Sequence, residues 1–126
     1  MANAINWFEI PASNFDRACE FYEKILNGEI QKMNPHPGVK MGFLPHFEMG
    51  SVGGAVVEGE GYEPSEKGTI PYLNGGEDLS VSLSKVENAG GKILMPKTSI
   101  GENGFIAQFI DTEGNRLSIL QPIENM

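Results

Sequence analysis

Apolar residues recur at helical spacing through Phe15, Ala18, Tyr22, Ile25 and Leu26, and Asn27 with Gly28 ends the run, so the chain predicts an amphipathic helix there. Ser13 and Asp16 predict its N-terminal cap. Ahead of it, residues 4–10 are rich in β-formers and stop at Pro11, which predicts a first strand. Behind it, strand-like runs at residues 29–33, 39–44 and 52–58 are separated by a turn at residues 35–38 and a loop at 46–51. Gly53 and Gly54, inside the fourth run, predict either a close approach to the backbone or a bulge. Phe21 and Tyr22 are expected to pack their helix on the sheet.

The polar stretch 59–67 has the composition of an exposed connector, after which the order restarts. Residues 68–74 read as a strand, Gly75 and Gly76 as a turn, and residues 78–89 as a helix with Leu79, Leu83 and Val86 on one face and Gly90 with Gly91 as its stop. A strand at 92–95 follows. Two further strand-like runs, 105–110 and 117–120, flank a tight turn in which Gly114 supplies a positive φ.

The element order strand-helix-strand-strand-strand thus occurs twice. It predicts an α+β fold of two βαβββ modules, module one at about 1–60 and module two at about 66–122, within a single domain spanning 1–126. A helix on one face of each sheet leaves the other face free, and two such sheets can curl around a shared cleft.

Charge removes some partners. Nine basic against seventeen acidic residues give a net charge of −8, the wrong sign for a nucleic-acid backbone or an anionic membrane surface. The same field attracts cationic ligands, or simply keeps a small protein soluble. A single cysteine, Cys19, has no partner for an internal disulfide, and no N-terminal signal pattern is visible, so a cytoplasmic location is expected. Cys19 lies in the helical pattern and reads as a small core residue.

Several stretches, INWFEIPASNFDRACEFYEKIL, GTIPYLN, ENAGGKILMPKTSIG and FIDTEGNRLSIL, together resemble the vicinal oxygen chelate superfamily, the glyoxalase, bleomycin-resistance and extradiol-dioxygenase group. The resemblance implies a cupped mixed sheet and often a homodimer. It also implies four positions, usually His, Gln or Glu, that hold a divalent metal. Carried over one at a time, these fall on Trp7, Ile70, Ser118 and a point near Gly54. Such side chains do not make a metal site, which needs three or four N, O or S donors.

The cup is therefore expected to be an apolar pocket for a small-molecule ligand, with no metal or other cofactor, and a divalent metal as the main alternative. Trp7 either stacks on that ligand or fills the cleft as core. Glu9, two residues on, shares its face and is a general base or a cation partner if it lies inside, ordinary surface if outside. Tyr72 and Gln108 are candidate polar handles, with Phe43 and Phe105 as apolar lining or core. His46 and Glu48 form a possible ligand pair, and Asp111 and Glu113 read as turn and surface residues. The competing function is a lyase, isomerase or dioxygenase of the same superfamily with an unconventional site built on Glu9, His46 or Glu48. A third is an assembly module whose cleft stays empty.

Overall fold

The first half of the chain forms β1 (Trp7–Pro11), α1 (Phe15–Leu26), β2 (Gln31–Met33), β3 (Lys40–Phe43) and β4 (Gly53–Glu58). The second forms β5 (Tyr72–Asn74), α2 (Ser80–Leu83), β6 (Lys92–Ser99), β7 (Phe105–Ile110) and β8 (Arg116–Gln121). This is a computed structural model, and it describes residues 4–48 and 50–123. Met49, in the expected 46–51 loop, and both extreme termini of the expected 1–126 domain lie outside the described residues.

Each half is a four-stranded mixed sheet with the same topology, β1-β4-β3-β2 and β5-β8-β7-β6. The first strand of each module runs parallel to its last, and the remaining pairs are antiparallel. The sequence duplication is therefore a duplication of sheet order. Among the described residues no helix is long and apolar enough to cross a membrane.

One core unites the modules. Ile10 and Val56 from the first sheet and Leu73, Phe109, Leu117 and Ile119 from the second cluster with Phe15, Ala18, Cys19, Phe21, Tyr22 and Ile25 of α1. Each large side chain so buried contributes about 1.5–3 kcal/mol. The helical spacing places all six α1 residues on one buried face. Phe21 packs against the second sheet, with its ring centroid 5.8 Å from that of Phe109. Gly42 lets α1 approach β3, since a Cβ there would meet Ile30, Cys19 and Phe15.

Three expectations need correction. Asn14, not Ser13, caps α1, its side chain accepting from the Arg17 amide at 3.1 Å. The expected helix at 78–89 holds only one α-helical stretch, Ser80–Leu83, before irregular turns. Serine side chains can compete for the backbone, as Ser84 Oγ does by donating to the Val81 carbonyl. Finally, β6 runs on to Ser99 instead of ending at 95, through Pro96. Its place at a sheet edge tolerates a residue with no amide hydrogen, and its register shifts on either side of Met95.

Candidate functional site

The acidic turn Asp111–Asn115 is structural. Asp111 is only 4% exposed. Its Oδ1 accepts from the amides of Glu113 and Asn115, at 2.8 and 2.9 Å, and its Oδ2 from Tyr22 and Asn115 Nδ2, at 2.7 and 3.1 Å. Glu113 reaches across to module one, where Oε1 accepts from the Ser13 and Asn14 amides at 2.9 and 2.7 Å and Oε2 from Arg17 Nε at 2.7 Å. Asn115 completes the bridge by donating to the Pro11 carbonyl at 2.6 Å and accepting from the Ser65 amide at 3.1 Å. The expected surface role for Asp111 and Glu113 is thus replaced by a latch between the modules.

Burial pushes the Glu113 carboxyl up, but donors from Arg17, Asn14 and Thr112 outweigh it and hold the group below its ordinary value. Burial, with Asp111 beside it, drives the Tyr22 phenol well above its usual range. Burial also pushes the Cys19 thiol up to about 11, which leaves it unreactive as a nucleophile near neutral pH.

His46 closes the C-terminus of α1. Its Nε2 lies 2.8 Å from the Leu26 carbonyl and 3.2 Å from that of Asn27. Two acceptors require a proton on Nε2, so this nitrogen is a donor rather than a metal ligand. The ring takes this place with its backbone at φ 68°, in the left-handed region. Among the described residues no group of three His, Cys, Asp or Glu converges.

Strand register places the other candidates. Trp7, Glu9 and Phe43 lie on the face of the first sheet away from the helices, because Trp7 pairs with Gly53 while Glu9 and Phe43 both pair with Ala55. Trp7 is 38% exposed and meets Phe43 edge-on at 5.8 Å. Glu9 is exposed, and its carboxylate raises the pKa of the neighbouring Tyr62 phenol. Gly54 falls on the opposite, helix-covered face, a correction that follows from the two-residue period of the strand.

Neither glycine marks a bulge, since pairing runs unbroken from Trp7 to Pro11. A Cβ at Gly54 would meet the Phe8 ring at 2.5 Å, and one at Gly53 would meet Phe47 and Trp7. The close approach inferred from the sequence is made by the chain's own aromatic rings.

In the second sheet, Tyr72, Ser118 and Gln108 form one cross-strand row. Arg116 donates to Gln108 Oε1 through Nε and Nη2, at 3.3 and 2.7 Å. Ser118 is fully buried and its Oγ has no hydrogen-bond partner among the described residues. Ile70 lies ahead of β5 and is half-buried. Phe105 is on the other face from Gln108 and packs against the core. The four positions implied to hold a metal are thus an indole, an alkyl chain, a glycine on the wrong face and one buried hydroxyl. They do not fit such an ion.

Three candidates do come together. His46, Gly54 and Tyr72 line an open cleft of about 770 Å³ between the loop ahead of β4 and the start of β5. Phe8, Leu26, Leu44, Phe47, Val52 and Leu73 supply its apolar walls, and Glu48, Ser51 and Asn74 its polar groups. Trp7, Glu9, Phe43, Ile70, Gln108 and Ser118 are not among its lining. A second cleft, of about 680 Å³, shares Asn74 and Gly76 with it and includes Phe105. Sequence reading passed over Phe47, which is 53% exposed. The paired glycines were its signal, because an empty side-chain position beside a strand invites a ring.

A family model described as Glyoxalase/Bleomycin resistance protein/Dioxygenase superfamily matches residues 4–119. No match was found among curated proteins. Among solved structures, a glyoxalase/bleomycin resistance protein from Albidiferax ferrireducens is 12% identical, with TM-score 0.70, 96% of this chain covered and 100% of that one. TnmS3, an antibiotic-binding protein from a Streptomyces species, is 21% identical with TM-score 0.62 over 98% of this chain and 99% of its own. A glyoxalase I variant from Zea mays is 21% identical with TM-score 0.68, and there 92% of this chain corresponds to 46% of the other. At these identities the likeness is one of fold.

Proposed function

Because the chain belongs to the glyoxalase/bleomycin resistance protein/dioxygenase superfamily, by a match over residues 4–119, we propose that it is a small-molecule-binding member that works without the divalent metal implied for its relatives. The observation that carries this reading is the cleft. Its volume of about 770 Å³ and its apolar walls with a few polar groups suit one small organic ligand. The residue types at Trp7, Ile70, Gly54 and Ser118 support the absence of metal chemistry, and the antibiotic-binding description of TnmS3 is compatible with a binding role on this fold.

The test is a melting-temperature screen of purified protein against small molecules, with metal analysis of the same sample. A binder gains stability with ligand concentration, and a Phe47→Ala substitution weakens that gain. Stoichiometric Ni, Zn, Mn or Fe in the preparation, or ligand binding indifferent to Phe47, would overturn the proposal.

The reading includes a cytoplasmic homodimer. The buried, weakly acidic Cys19 thiol suits a reducing compartment. Trp7 and Tyr72, 38% and 51% exposed, lie on β1 and β5, each at the edge of its sheet, and offer apolar surface to a second copy. Light scattering at micromolar concentration is expected to give twice the mass of the chain, and a monomer there counts against the dimer.

A further inference from the structure

We propose that the ligand of this cleft is an organic cation: a protonated amine, quaternary ammonium or phosphonium group carried on an apolar body. The inference rests on the small-molecule reading above and adds the charge of the ligand to it.

Three observations carry it. The lining includes three aromatic residues, Phe8, Phe47 and Tyr72, and a ring face attracts a cation within roughly 6 Å. The residues that line the cleft include one carboxylate, Glu48, and no Lys or Arg. Glu48 is exposed and takes part in none of the salt bridges among the described residues, which join Arg17 to Glu113, Lys32 to Asp16 and Lys97 to Asp78. The third observation is the end of α1. Leu26 lines the cleft, so the negative end of a twelve-residue helix dipole lies against it.

His46 occupies two of the terminal carbonyls through Nε2, which settles the donor on that side and leaves Glu48 as the formal charge in the lining. The molecule already shows the same chemistry elsewhere on its surface. Lys97 Nζ sits 4.8 Å from the Phe105 ring centroid while paired with Asp78 at 3.1 Å. An aromatic face and a carboxylate share one cation. The first cleft has aromatic residues and a carboxylate in its lining, and a ligand would bring the cation. The net charge of −8 raises the local concentration of such a ligand and opposes an anionic one.

The test uses two probes of one shape and opposite charge, tetraphenylphosphonium and tetraphenylborate, titrated calorimetrically into the full chain at low ionic strength. The expected result is about ten-fold or greater preference for the cation. Glu48→Gln should reduce that preference by about three- to five-fold. Glu60→Gln, which removes one charge from the exposed connector, should leave it nearly unchanged. Phe47→Ala should weaken the cation as well. Equal affinity for the two probes overturns the inference. So does an effect of Glu60→Gln as large as that of Glu48→Gln, which would make the preference a property of net charge alone. A screen in which only neutral or anionic compounds bind in a Phe47-dependent way overturns the cation inference and leaves the binding role standing. A screen with no ligand of any charge removes both.

Discussion

The Tyr22 hydroxyl donates a 2.7 Å hydrogen bond to Asp111, joining the helix of one module to the closing hairpin of the other. Both residues are buried, and Asp111 also organises its own turn through two amides. A buried acceptor that loses its donor is costly, so Tyr22→Phe should destabilise the fold by about 1–3 kcal/mol. Asp111→Ala should cost more, because it strands Tyr22 and the turn amides together. Urea unfolding of the two variants checks the order. A Tyr22→Phe protein as stable as the parent would show that the bond contributes nothing net.

Glu113 makes the latch sensitive to acid. Its folded pKa is depressed, so its contribution is present above the unfolded carboxyl value and is lost as pH falls through the folded one. Its side chain is fully buried against Arg17 and two amides. Glu113→Gln should therefore cost about 1–3 kcal/mol at pH 7, and the gap between variant and parent should shrink on acidification below about pH 4. Unfolding curves between pH 3 and 7 measure it. A gap independent of pH would contradict the assignment of the ionised carboxylate to the latch.

Several local patterns in the chain gave local structure, while roles that depend on a partner far away in sequence went unread. The helical spacing of Phe15, Ala18, Tyr22 and Ile25, the stop at Asn27, and the turn with Gly114 at φ 95° all depend on neighbours within a few residues. The roles of Asp111 and Glu113 depend on Tyr22, Ser13 and Arg17, about a hundred positions away, and a polar residue in a turn carries no mark of such a partner. At the site, the two-residue period put Glu9 on the helix-free face with Trp7 and allowed Tyr72 and Gln108 there, while the positions implied by the resemblance include Trp7 and Ser118 on that face and Gly54 on the other. The short α2 was hidden because apolar spacing alone cannot weigh three serines against a helix.

His46 is expected to matter for stability through its hold on α1. His46→Ala removes the donor to two helix-terminal carbonyls and places a non-glycine residue at φ 68° with nothing in return. The expected loss is about 0.5–2 kcal/mol, in the range of other capping interactions. His46→Gly should recover part of it by relieving the left-handed backbone. Thermal melts of the pair test this, and a glycine variant less stable than the alanine one would argue against it.

Gly54 allows the Phe8 ring to lie flat on β4. Gly54→Ala forces a methyl to within 2.5 Å of that ring, an overpacking expected to cost about 1–3 kcal/mol. Combining it with Phe8→Ala should give less than the sum of the two separate losses, because the clash disappears with the ring. Additive losses would mean that the two residues do not compete for this space.

The latch also sets the order in which a growing chain can finish folding. During synthesis residues 7–58 leave the ribosome well before the hairpin exists, so the Ser13 and Asn14 amides, the Pro11 carbonyl and the Tyr22 hydroxyl wait on water until positions 111–115 arrive. Strands can pair within the early half, yet its helix start is completed only by a residue about a hundred positions further on. The repeated unit is therefore not a self-sufficient one. Residues 7–58 made alone would leave the Ser13 and Asn14 amides and the Arg17 guanidinium without the carboxylate that Glu113 supplies.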